Sequence, residues 1–386
     1  MMEQSRLIEL IKKGESSTVQ FKERVEDAHK LSQELVAFSN ARGGTIVIGV
    51  DDKTGRIKGL SFEEIHMTNS LIVGATTNNV KPPVIVETET VAAGKENLLV
   101  VHLAEGLSKP YKDKNGAIWI KNGSDKRRVT ANEEIARLLQ SSKIMFADEM
   151  KIPGTSVNDV HLPVFKYYYK TKYRRDFEKS GVELEQSLQN QFLLKEGNIT
   201  LAGLLLFCAN RHLYRPQFSI QCVSVNARDL TNNKFEDNAP AFEGTLSLVY
   251  EQTLGFLDRN LRKKPSGKSF NSQLKWEIPL EVFEELIVNA LIHRDYFINS
   301  TIKIMIFSDR IEIISPGTLP NSLSVESMLS GGISIPRNPV LQSLAQYVLP
   351  YKGLGTGIPR AISKYKHITF INDERRECFI AIIRRP

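Results

Sequence analysis

The chain has 386 residues, 41% hydrophobic and 25% charged, the composition of an ordinary globular protein with room for two or three cores. Its most apolar runs, 201–209 and 286–292, fall well short of the ~20 residues that cross a bilayer, and no signal-peptide core opens the chain, so a cytoplasmic protein with no membrane partner is expected. The formal net charge is +7, with 21 basic against 21 acidic residues in the first 150 and 30 against 23 beyond, while Cys208, Cys222 and Cys378 sit far apart in apolar runs, which argues against a disulfide or zinc framework.

A helix is predicted over residues 3–13, stopped by Gly14, followed by a short strand at 19–22 and a helix at 28–40 carrying Leu31, Leu35, Val36 and Phe38. Gly43-Gly44 leads into a buried strand at 45–50, Asp51 to Arg56 reads as a hairpin turn, and strands at 83–89, 98–103 and 117–121 complete a mixed sheet. Lys126, Arg127 and Arg128 are placed in a loop, where they meet phosphates without obstruction. Residues 145–163 read as a linker centred on Pro153-Gly154-Thr155-Ser156. In 165–175 four tyrosines interleave five basic residues, a pattern that suits stacking on single-stranded nucleic acid. The preferred reading is an amphipathic helix whose tyrosines cover a core edge. Helices at 186–194, 201–208 (capped by Thr200) and 244–260 flank a strand at 218–226. Gly267-Lys268-Ser269 is not a P-loop, because Arg262 stands where the first glycine belongs and a helix, not a strand, precedes it.

The sharpest signal follows. Glu285, Asn289 and His293 are four residues apart and share one helix face amid Leu286, Ile287, Val288, Leu291 and Ile292. Burying a carboxylate and an amide there is costly unless they bind a ligand or metal, or complete a polar network. Strands at 301–307 and 310–314 turn at Asp309 and run into Ser315-Pro316-Gly317. After residues 318–336, Gly353, Gly355 and Gly357 lead to a helix at 358–364, whose first N–H groups form an anion site.

This order resembles the Bergerat-type (GHKL) ATPases. Residues 276–361 resemble the C-terminal domain of the RecG-like transcriptional regulators on Asn289-Ala290 with His293-Arg294-Asp295-Tyr296, Asp309-Arg310-Ile311-Glu312-Ile313 with Ser315-Pro316-Gly317, Arg337-Asn338-Pro339 and Gly355-Thr356-Gly357-Ile358. Residues 5–140 resemble a Schlafen AlbA-type domain on Gly14-Glu15-Ser16 with Phe21-Lys22, Ala37-Phe38-Ser39-Asn40 with Gly43-Gly44, Ile48-Gly49-Val50-Asp51, and Ile120-Lys121 with Gly123-Ser124.

The resemblances imply an α/β (α+β) fold: an AlbA/Schlafen-like nucleic-acid-binding domain (1–143), a basic and aromatic linker (144–180), a middle helix and strand region (181–270) and a Bergerat-type α/β sandwich (271–386). ATP and Mg2+ are the implied cofactors. Glu285 would orient or deprotonate the attacking water, and Asn289 would hold the magnesium ion. Ser315, Gly317, Gly353, Gly355, Thr356 and Gly357 would cradle the nucleotide, with 318–336 as a lid. Ser315 stands where those ATPases carry the aspartate that bonds adenine. In Schlafen-type nucleases three carboxylates hold a metal. Here Glu15 and Asp51 remain but Gln20 replaces the third, so cleavage is not expected. Lys22, Lys126, Arg127 and Arg128 are the nucleic-acid candidates, and a homo-oligomer is expected. The function implied is a nucleotide-responsive DNA- or RNA-binding regulator or defence component. The alternative is an enzyme, either an ATPase or a metal-dependent nuclease.

Overall fold

The computed structural model describes residues 2–142, 145–231, 235–265, 274–320, 323–332 and 335–386; the Gly267-Lys268-Ser269 run and part of the expected lid lie outside them. The chain is mixed α/β and divides into two compact units, Met1–Met145 and Phe146–Pro386. No helix among the described residues is long and apolar enough to cross a membrane.

The first unit contains α1 (Gln4–Lys13), β1 (Val19–Lys22), α2 (Ala28–Asn40), β2 (Gly44–Ile48), α3 (Phe62–Asn78), β3 (Val86–Ala93), β4 (Glu96–Leu103), β5 (Ile118–Asn122), β6 (Asp125–Val129) and α4 (Asn132–Ser141). Its sheet runs β1-β2-β4-β3, parallel between β1 and β2 and antiparallel elsewhere. Alternate residues of β2 point to opposite faces. Ile46 and Ile48 pack with Leu31, Leu35 and Phe38 of α2, whereas Val47 packs with Leu7 and Ile11 of α1. Both faces of the sheet are therefore covered.

Two expectations change here. Strand β5 does not join the sheet; it pairs with β6 in a separate hairpin, Trp119 opposite Arg128 and Lys121 opposite Lys126. The basic run 126–128 is thus a strand and not a loop, because Ile118 and Val129 bury themselves against Leu138 of α4 and hold the hairpin in place. The seventeen-residue helix α3 was not anticipated, although Ser61 and Glu64 form its capping box.

The second unit contains α5 (Leu162–Tyr173), α6 (Leu184–Gln189), α7 (Leu201–Phe207), β7 (Ile220–Val225), β8 (Phe235–Ala239), α8 (Leu246–Asn260), α9 (Leu280–His293), β9 (Ile302–Ile306), β10 (Arg310–Pro316), α10 (Val325–Ser330), α11 (Pro339–Ala345), α12 (Gly357–Lys364), β11 (Ile368–Asp373) and β12 (Cys378–Arg384). Six strands in the order β8-β7-β9-β10-β12-β11 form one sheet, parallel only between β7 and β9. The apolar flanks of α8 and α9 bury Val249, Phe256, Val282, Phe283, Leu286 and Ile287 with Ile304, Ile311 and Ile313 of the sheet in one core. Residues 145–163, read as a linker, belong to that core: Ala147 and Ile152 are buried, and Asp148 accepts the Leu341 N–H at 2.8 Å. Helix α5 buries Phe165 and Tyr168 completely, and its Lys166 and Lys170 pair with Glu178 and Asp176 at 2.5 and 2.9 Å. The amphipathic reading of the tyrosine-rich run fits this arrangement.

Candidate functional site

Helix α9 is apolar on most of its surface, so its position is set by packing and its polar stripe has one place to face. Its end is fixed by side chains, since the last four carbonyls of a helix have no partner within it. Ser315 Oγ donates to Ala290 O at 3.4 Å, Tyr296 OH to Leu291 O at 2.8 Å, Asn338 Nδ2 to Ile292 O at 2.8 Å and an Arg337 guanidinium N–H to His293 O at 3.2 Å. The His-Arg-Asp-Tyr and Arg-Asn-Pro signatures therefore do structural work: they lock the C-terminus of α9. Arg294, 2% exposed, lies over Phe218 and Tyr296 and donates to Ile298 O and Ser300 O.

The stripe faces an open pocket, and every residue expected to touch nucleotide lines it: Glu285, Asn289, Ser315, Gly317, Gly353, Gly355, Thr356 and Gly357. At one end, Arg360 of α12 donates to Glu285 Oε1, and Asn289 Nδ2 donates to Glu285 O at 2.6 Å, which leaves Asn289 Oδ1 without a protein partner among the described residues. Gly357 lies directly on this pair. A Cβ there would stand 2.5 Å from Glu285 Oε2 and 3.2 Å from Asn289 Nδ2, so the backbone approaches α9 more closely than any side chain permits. Among the described residues the N–H groups of 353–358 donate to no protein acceptor, and Thr356 offers α12 no side-chain cap. Such a run of unpaired donors at a helix start attracts an anion.

The rest of the pocket wall has a different character. Ile313, Ala381 and the stacked rings of Phe370 and Phe379, 5.8 Å apart, make an apolar slot. Ser315 is 7% exposed, and its hydroxyl proton is already directed at Ala290 O, so lone pairs are what it offers a ligand. His293 Nε2 meets Tyr351 OH at 3.1 Å; burial, reinforced by the nearby Arg337 cation, pushes the imidazole down to about 4, so it is neutral at pH 7. An apolar slot joined to an amide-lined end suits a flat aromatic group carrying an anionic tail. Lys352, Arg337 and Arg360, which also line the pocket, were not foreseen. Arg337 stands in the Arg-Asn-Pro signature, whereas no sequence pattern marks Arg360.

The first unit does not assemble a carboxylate triad, and no metal-holding set of three acidic, His or Cys side chains occurs among the described residues. Gln20 Nε2 donates to Glu15 Oε1 at 2.5 Å, and Lys121 Nζ donates to Gln20 Oε1 at 2.6 Å. Burial lowers the Lys121 pKa, yet Glu34 and Glu15 nearby favour its charge. Asp51 is occupied in its own turn, accepting the Lys53 and Thr54 N–H groups at 3.1 and 2.8 Å, and the Thr54 bond holds its pKa below the usual range. Along β6 the side chains alternate, so Arg127 lies on the opposite face from Lys126 and Arg128, while Lys22 ends β1. Lys126 and Lys22 reach Glu34 at 2.6 and 3.8 Å, Arg127 pairs with Glu134 of α4, and Arg128 is exposed with no partner among the described residues.

Comparison with known families matches residues 15–130 to the Schlafen, AlbA_2 family and residues 299–376 to the family described as "Putative ATP-dependent DNA helicase recG C-terminal". The chain joins a Schlafen AlbA_2 domain to a RecG-type C-terminal domain. The RecG-type match begins after α9, so Glu285 and Asn289 lie just outside it. A crystal structure of the DIP2311 protein from Corynebacterium diphtheriae is 20% identical, covering 96% of this chain and 75% of its own, with a TM-score of 0.49. The N-terminal domain of a RecG-related protein from Nitrosomonas europaea is 24% identical, covering 34% of this chain and 97% of its own, with a TM-score of 0.26. No curated protein is detectably similar.

Proposed function

We propose that the RecG-type domain binds a nucleoside triphosphate with magnesium in the α9–α12 pocket, and that the chain is a nucleotide-responsive nucleic-acid-binding protein of the regulator or defence type, acting in the cytoplasm through its AlbA_2 domain. One observation carries the reading: Glu285, Asn289 and the glycine loop line a single pocket in which Gly357 sits where no Cβ fits, beside unpaired backbone donors. Asn289 Oδ1 is a neutral hard ligand with no protein partner among the described residues, which fits magnesium; the bound ion would neutralise phosphate charge. Glu285 is the group placed to orient or deprotonate water, and the glycine-loop amides hold the phosphates. A nuclease reading finds no support in the Glu15, Gln20 and Lys121 arrangement.

The test is thermal melting with and without millimolar ATP and magnesium. A ligand at about 100 times its Kd stabilises the native state by ~2.7 kcal/mol, which is roughly 5–10 °C for a domain of this size. Asn289→Ala should remove the shift. An unshifted wild type at millimolar ATP refutes the nucleotide reading and leaves α9 with a buried polar network.

A further inference from the structure

Arg360 is marked by no motif. It follows Gly357 by three residues on the first turn of α12, so it shares a helix end with the unpaired N–H groups and projects to the same pocket. Its guanidinium donates to Glu285, the carboxylate that the nucleotide reading needs for work on water. The two side chains are 37% and 17% exposed, and an ion pair so open to solvent is readily exchanged. A terminal phosphate carries more charge than a carboxylate and accepts both arms of a guanidinium fork.

We propose that Arg360 reads the terminal phosphate. Without ligand it occupies the Glu285 carboxylate; a triphosphate seated on the 353–358 amides draws the guanidinium away and releases Glu285. A diphosphate, one phosphate shorter, leaves the pair in place. The inference rests on the nucleotide reading and adds a switch to it: Glu285 is engaged in the empty pocket and available only when the full ligand is present. Gly357 makes this economical, because its missing Cβ lets one carboxylate oxygen touch the loop while the other meets Arg360.

Calorimetric titration of the full chain with magnesium and either ADP or the non-hydrolysable imido analogue of ATP tests the assignment. The wild type should prefer the triphosphate by about tenfold or more, the scale of one charge-assisted bidentate contact. Arg360→Ala should bring the two affinities within about threefold while leaving ADP binding nearly unchanged, and Arg360→Lys should recover part of the preference. Glu285→Gln, which frees Arg360 from its carboxylate, should tighten triphosphate binding severalfold and raise the preference for triphosphate over ADP. A structural brace predicts otherwise. If Arg360→Ala weakens both ligands equally, or Glu285→Gln weakens the triphosphate, the inference is wrong while the nucleotide reading stands. If the wild type binds neither ligand, both fall.

Discussion

Replacing Gly357 with alanine adds one methyl group where α12 crosses α9. The new Cβ would stand 2.5 Å from Glu285 Oε2 and 3.2 Å from Asn289 Nδ2. Comfortable contact is about 3.5–4 Å, so the carboxylate must retreat by roughly an ångström. It is held from both sides, since Arg360 grips Oε1 and Asn289 bonds the Glu285 carbonyl. Overpacking of this kind costs about 1–3 kcal/mol. Removing a helical glycine recovers ~0.5–1 kcal/mol of it. The net loss of about 1–2 kcal/mol corresponds to a fall in Tm of roughly 2–8 °C for a unit of this size. The displaced Glu285 and Asn289 should also abolish the stabilisation by ATP. Scanning calorimetry with and without ATP and magnesium reads both effects. Gly255→Ala in α8, where a Cβ meets nothing within 4 Å, serves as the control and should gain ~0.5–1 kcal/mol. A Gly357→Ala protein as stable as the wild type, with its ATP shift intact, would refute the close-approach argument.

His293 has a pKa of about 4 in the fold against ~6.5 in the unfolded chain. Its contribution is therefore present above pH ~6.5 and lost as pH falls toward 4, a loss of about 2 kcal/mol after allowing for the ring's partial exposure; His293→Asn should flatten denaturant stability across that window. Asp148 works in the opposite sense: burial raises its pKa to about 7, so stability is intact below the unfolded value near 3.9 and lost as pH rises to 7. Asp148→Asn should be more stable than the wild type by about 3 kcal/mol at pH 8 and indistinguishable at pH 4; equal stability at pH 8 would show that burial does not penalise the charge. Gln20→Glu sets a second carboxylate 2.5 Å from Glu15, so it should lower the Tm in EDTA and recover with magnesium, and recovery without metal would show that Lys121 suffices as counter-ion. In nucleic-acid binding assays Arg128→Ala should reduce the slope of log affinity against log salt by about one. An unchanged slope would remove Arg128 from the interface.

Elements governed by local pattern were legible. Strand β1 and helix α2 were read to the residue, and Thr200 caps α7 as expected, because periodicity and capping act within a few residues. The stripe of Glu285, Asn289 and His293 was visible for the same reason. What depends on distant partners was not. Strand β5 looked like a sheet strand until β6 claimed it, and residues 145–163 looked like a linker because the capping of α11 by Asp148 spans 193 positions. Arg360 pairs with Glu285 across 75 positions, and nothing near either residue announces the other. Ser315 is visible in the sequence as a departure from the adenine-binding pattern, while its bond to Ala290 O belongs to the tertiary structure alone.

The locked end of α9 also gives the pocket a direction. A helix carries about half a negative charge at its C-terminus and half a positive charge at its N-terminus. Along α9, Glu285 and His293 are separated by about 12 Å, eight residues at 1.5 Å each. The pocket thus lies between the start of α12, whose first N–H groups meet no protein acceptor among the described residues, and the carbonyl end of α9, already bonded by Ser315, Tyr296, Asn338 and Arg337. An elongated, asymmetric guest would find one end attracting anions and the other offering little further hydrogen bonding. It would enter tail-first toward α12, and the reversed pose would exchange those amide donors for the apolar wall of Ile313, Phe370 and Phe379.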